Sequence, residues 1–182
     1  VFMAKFCPKG LYKVLKPALN LLAGIPSVIY GFFGLVVIVP AMQDIFGGGG
    51  KSVLTASIVL GIMLLPTIIS VSESSLRAVP ESYYEGALAL GATHERSVFR
   101  VTLPAAKSGV TAGVVLGIGR AIGEATAVSM VAGNQPIIPE SPTKGVRTLT
   151  TNIILEMGYA TDLHREMLIA TAVVLFVFIL II

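Results

Sequence analysis

Two long stretches of the chain carry no charge: Leu21 to Met42, 22 residues, and Ser52 to Ser72, 21 residues. At ~1.5 Å per helical residue, each is long enough for a hydrocarbon core of ~30 Å. A third stretch, Ser108 to Gly133, is interrupted only by Arg120 and Glu124, and a fourth runs 16 residues from Met167 to Ile182. The pattern predicts four helical spans, at 21–42, 52–72, 108–133 and 167–182. No strand periodicity argues for a barrel. Gly24, Pro26, Gly31, Gly34 and Pro40 punctuate the first span and Pro66 the second. Membrane helices tolerate such residues, and kinks are expected near Pro26 and Pro66. The fold class is therefore all-α and integral to the membrane, a polytopic helix bundle forming one domain over 1–182. With Val1 at one end and an apolar run at the other, the sequence reads as a fragment of a longer chain.

Composition narrows the function. Charged residues make up 13% of the chain, about half the ~25% usual for soluble domains. Thirteen Lys and Arg against ten Asp and Glu form no basic stripe, so a nucleic-acid partner is excluded. Cys7 stands alone, and His94 and His164 are 70 positions apart. Neither a disulfide framework nor a metal site is readable, and no cofactor is implied. The basic residues also set orientation. Segments 1–20 and 73–107 carry eight, against four in 43–51 and 134–166, which places the first two on the cytoplasmic side.

Three segments hold candidate chemistry. Gly47-Gly48-Gly49-Gly50-Lys51-Ser52 looks like a phosphate-binding loop, but the first glycine of that motif is replaced by Ile45 and no strand precedes it. The plain reading is a flexible external hairpin. Arg120 is the thirteenth of 26 residues in its predicted span, near mid-membrane, where an arginine costs ~2.5–3.5 kcal/mol or more. Glu124, at i+4, shares its helix face and is positioned to pair with it. Gly113 and Gly117 lie on that face too, a spacing that favours close helix packing. Two readings stay open: a bridge that fixes helix register, or a site that passes a polar solute. The 73–107 loop is long enough for structure of its own. Pro80 opens a helix over Ser82–Leu90, Gly91 stops it, and Thr93 caps a second helix that ends before Pro104. The plain alternative is an interfacial hairpin lying on the membrane; a knob with Ala87, Leu88 and Leu90 exposed would instead suit a partner's groove.

Glu85-Gly86-Ala87, then Gly91, nine residues, and Val101-Thr102-Leu103-Pro104 resemble the "EAA" loop of binding-protein-dependent ABC importer permeases. Gly86 stands where the family has its first Ala, and Val101 where it has Ile. The stretches Ala23 to Gly31 and Leu116 to Glu124 are similar to the PstC-type permeases of phosphate importers. The resemblance implies a six-span subunit of the plasma membrane that lacks two N-terminal spans here. It implies a pathway shared with a second, PstA-type permease subunit, two cytoplasmic ATPase subunits that bind the ATP, and an external phosphate-binding protein. By the same resemblance Glu85, Gly86, Ala87, Gly91, Leu103 and Pro104 belong to the ATPase dock, and Arg120 and Glu124 to the phosphate path. The chain itself is then not an enzyme. An intramembrane protease needs a Ser/His pair, two Asp or a zinc motif within spans, and both histidines fall in loops. A permease for another oxyanion or small solute shares the dock, whereas a passive channel needs none.

Overall fold

The computed structural model describes every residue, Val1–Ile182. Pro26 acts first on the backbone. Its fixed φ of −59° and extended ψ of 143° end one helix and begin the next. The chain is therefore broken there, into α1 (Lys9–Gly24) and α2 (Ser27–Phe46), rather than kinked within a span at 21–42. Pro66 has no such effect. It lies inside α3 (Val53–Arg77), which outruns the predicted 52–72 and takes Glu73 and Arg77 into the helix.

Three other prolines show how their missing N–H is absorbed. Pro8, Pro40 and Pro104 each follow a five-residue π segment by two positions: Phe2–Phe6, Gly34–Ile38 and Val98–Thr102. In each case the residue before the proline donates to the carbonyl five back, Cys7 to Phe2, Val39 to Gly34 and Leu103 to Val98. The wider turn relieves the clash of the ring with the carbonyl four back. For this reason the helix after Thr93 does not stop before Pro104. It continues as α5 (His94–Ala105), after α4 (Glu81–Ala89), and then bends by 67° into α6 (Lys107–Gly123).

Beyond Gly123 the predicted span 108–133 is interrupted. Residues 124 and 125 are not helical, and α7 (Thr126–Val131) restarts after them. A loop with one isolated bridge, Gly133 to Val146, leads to α8 (Leu149–Met157) and α9 (Asp162–Ile181). Three helical stretches, Ser27–Phe46, Val53–Arg77 and Asp162–Ile181, are long and apolar enough to cross a membrane, or four with the bent pair α5–α6. Leu168 is the one buried residue of α9. Its apolar sides are thus left for lipid or other chains.

The chain packs as two compact units, each assembled from separate segments. Unit 1 comprises Val1–Gly24 and Leu65–Ile118. Within it Gly109, Gly113 and Gly117 of α6 meet Ser75, Val71 with Ser72, and Ile68 of α3. A Cβ on Gly117 would stand 2.7 Å from the end of the Ile68 side chain, which would have to shift to admit it. The close packing predicted at Gly113 and Gly117 is present, with Gly109 extending it. Unit 2 comprises Ile25–Leu64 and Gly119–Ile182. Its core joins Tyr30, Ile38 and Val39 of α2, Ala56, Val59 and Met63 of α3, and Ala127, Val128 and Val131 of α7. Gly34 sits where a Cβ would meet Val59 at 2.6 Å and Val131 at 2.9 Å.

The glycine-rich connection before α3 is pinned rather than loose. Gly50 is buried, its carbonyl accepts from Thr55 Oγ1 at 2.6 Å, and Gln43 Nε2 donates to the Gly49 carbonyl. The N–H groups of Ser52, Val53 and Leu54 donate to the carbonyls of Val131, Lys144 and Pro142. A phosphate loop needs such N–H groups for its ligand, so the likeness ends there.

Candidate functional site

Around Arg120 the local backbone decides the chemistry. Arg120 occupies the last turn of α6 and is exposed. A cation there complements the negative end of the helix dipole. Glu124 stands one residue past the end of this helix, and one of its carboxylate oxygens faces forward along the chain. Oε1 accepts the N–H of Ala127 at 3.0 Å, capping the first turn of α7. The Glu124 carbonyl accepts from Thr150 Oγ1 of α8 at 3.1 Å. Glu124 therefore ties the break between α6 and α7 to α8, all within unit 2. It also lines a cavity of about 350 Å³ in which Ser57, Thr148 and Thr150 are the other polar side chains, set among Leu60, Phe178 and smaller apolar groups. Tyr30 is buried in the unit 2 core.

In unit 1 the 73–107 segment forms two short helices around a glycine stop. Gly91 has φ of +81°, in the left-handed region. Ala92 N–H donates to the Ala87 carbonyl and Gly91 N–H to Leu88, the paired bonds of a Schellman closure. Thr93 Oγ1 accepts from Arg96 N–H and caps α5. Glu85, Gly86 and Pro104 are exposed, Leu103 is partly covered, and Leu90 is 91% exposed. Ala87 departs from the expectation. It is buried, because its methyl faces inward on α4 while Leu88 and Leu90 face out. A cavity lies between Ser75, Pro80, Tyr83 and Ala106.

A second cluster escaped sequence reasoning. Glu73, 3% exposed, accepts from Tyr12 Oη at 2.7 Å, Lys16 Nζ at 2.7 Å and Arg77 Nε at 2.8 Å. Arg77 also lies over the Tyr12 ring and donates to the Met3 carbonyl. This hub fastens α1 and the N-terminal π segment to the end of α3. Two i,i+4 pairs, Tyr12 with Lys16 and Glu73 with Arg77, were the available signal. In unit 2 a comparable node joins Arg147 to Glu156 at 2.7 Å, to Asn152 and to the Asn134 carbonyl. There the Tyr159 hydroxyl and Arg147 hold the Glu156 carboxyl below its ordinary range.

All of these elements, from Val1 to Ile182, match one family model, the binding-protein-dependent transport system inner membrane component. The chain belongs to this family. It is thus a multi-pass membrane permease component. It is 48% identical over 162 residues to the probable ABC transporter permease protein YqgH of Bacillus subtilis, covering 88% of this chain and 52% of that protein. To the phosphate transport system permease protein PstC of Pasteurella multocida it is 33% identical over 196 residues, covering 97% and 61%. To PstC of Xylella fastidiosa strain Temecula1 it is 36% identical over 196 residues, covering 97% and 60%. The chain spans roughly half to three-fifths of the length of these curated relatives.

Proposed function

We propose that the chain is a transmembrane subunit of an ATP-driven importer of inorganic phosphate in the inner membrane. The 73–107 segment docks a cytoplasmic ATPase, and residues around Arg120 line the solute path. The observation that carries the reading is the segment from Glu85 to Pro104. Its spacing is that of an importer coupling loop, and it folds into two short helices locked at Gly91, with Leu90 projecting. The PstC names of the relatives support phosphate as the solute. The chain carries no ATP chemistry of its own. Its partners are a second, PstA-type permease subunit, two ATPase subunits and an external phosphate-binding protein.

Phosphate requires a donor that stays charged when water is removed, and the guanidinium supplies one as a planar fork. Glu124, holding the first turn of α7, keeps a negative charge near that path and favours release. An importer of another oxyanion would use the same arginine, and competition by sulfate during uptake separates the two. The decisive test measures phosphate uptake and complex yield together for Arg120→Gln, Arg120→Lys and Glu124→Gln. Glutamine at 120 abolishes uptake in an assembled complex, and lysine restores part of it. Normal uptake in Arg120→Gln, or a loss that only follows lost assembly, overturns the role.

A further inference from the structure

Lys5 has an unusual environment for a lysine. Its side chain is 13% exposed, yet its ammonium makes no hydrogen bond. The nearest carboxylate oxygen, on the largely exposed Glu81, is 3.7 Å away, and the Tyr84 ring centroid is 5.3 Å away. The contact with Glu81 is a long ion pair, which leaves ammonium donors for another acceptor. Lys5 lines a polar cavity of about 370 Å³ together with Arg77, Glu81, Tyr84 and His94. Arg77 uses Nε on Glu73 and Nη2 on the Met3 carbonyl, and His94 uses Nδ1 on Tyr84. Further donors of the guanidinium fork remain for a ligand. Counting Lys5, Lys16 and Arg77 against Glu73 and Glu81, the cavity and its rim carry one net positive charge.

A mostly apolar cleft of about 440 Å³ is walled by Met3, Ile68, Leu103 and Val110, with Ser72 and the ion-paired Glu73 as its polar side chains. The two are joined through the π segment. Met3 lines the cleft while its carbonyl holds Arg77, and Lys5 lies two residues on. Along α3, Ile68 lies nine residues from Arg77, or roughly 13 Å at the helical rise. The π segment thus carries Lys5 on the polar cavity and Phe2 and Met3 on the apolar cleft.

We propose that this is a binding site for one anionic phospholipid, with its phosphate on Lys5 and Arg77 and an acyl chain along Ile68 and Val110. A phosphate monoanion matches the ammonium and guanidinium donors. The adjoining cleft favours a lipid over free phosphate, which would leave that apolar surface unfilled. The site shares no residue with the proposed solute path and does not depend on which solute is transported.

The test uses the protein purified as the cell makes it, with its partner subunits, in nanodiscs of phosphatidylcholine containing a minor labelled fraction of phosphatidylglycerol. Retained label is read after exchange against unlabelled phosphatidylcholine. Lys5→Gln is expected to retain about fivefold less, the effect of one cation at an anionic headgroup, and Lys5→Arg to retain as much as the parent. Val110→Phe, which fills the cleft, lowers retention with the cations intact. Equal retention in the parent and Lys5→Gln overturns the proposal. Displacement of the label by inorganic phosphate, with Val110→Phe neutral, also overturns it, assigning the cavity to free phosphate. Retention limited to phosphatidylcholine, or a cleft occupied by protein in the purified complex, overturns it as well.

Discussion

Glu73→Gln replaces a buried carboxylate by its neutral isostere. The carboxylate holds three donors at 2.7–2.8 Å, two of them cations. Charge-assisted bonds contribute ~1.5–3 kcal/mol each, so simple addition over Lys16 and Arg77 gives about 3–6 kcal/mol. That sum is too large for these groups. Lys16 is 28% and Arg77 48% exposed, and both recover hydration when the carboxylate is lost. Tyr12 keeps a bond to the amide oxygen. The net cost is about 2–4 kcal/mol, corresponding to a fall of roughly 4–16 °C in melting temperature for a chain of this size. The assay is thermal unfolding in detergent, followed by a probe on α1, for the single variants Glu73→Gln and Lys16→Gln and for the double variant. Because the groups touch, the double variant costs less than the sum of the singles. Strict additivity, or an unchanged melting temperature in Glu73→Gln, refutes the hub. The expected local consequence is release of α1, whose other contacts leave most of its residues exposed. Faster proteolysis between Pro8 and Gly24 reads that directly.

Three further outcomes follow from the geometry. Gly91→Val places a β-branched side chain at φ +81° with open space around its Cβ, so the cost is backbone strain alone, of order 1–3 kcal/mol. Transport-coupled ATP hydrolysis should be lost with normal insertion, and unchanged coupling would remove the segment from the dock. Gly34→Leu drives a side chain into Val59 and Val131, at a cost of about 1–3 kcal/mol or more, measurable as lowered stability of unit 2, whereas Gly86→Ala enters open space and should stabilise α4 by ~1 kcal/mol. The Glu156 carboxyl, held low first by Tyr159 and then by Arg147, contributes stability above its unfolded pKa that is lost as pH falls through its lower folded value. Hydrogen exchange across Leu149–Met157 should quicken on acidification and lose that dependence in Glu156→Gln.

Runs without charge determine by themselves that the chain is helical and membrane-embedded, because burying backbone in lipid requires internal hydrogen bonding. Short-range signals were equally legible. Gly91, Thr93 and the start of α4 at Pro80 act through bonds spanning five residues or fewer, so their chemistry is written locally. The glycine spacing of α6 showed that something packs there, but α3 as its neighbour came only from tertiary contacts. Helix ends inside the apolar runs were not legible, since a proline starts a helix at Pro26, stays inside an unbroken helix at Pro66, and is absorbed by a π turn before Pro40 and Pro104. What Glu124 does for the backbone was likewise decided by the fold. The helix stops one residue before it, and its carboxylate accepts the bare N–H of Ala127 at the start of α7. The Glu73 hub joins residues 57 and 61 positions apart. Only the tertiary structure brings such groups together, because pairing across that separation depends on how α1 returns to α3 rather than on any local preference.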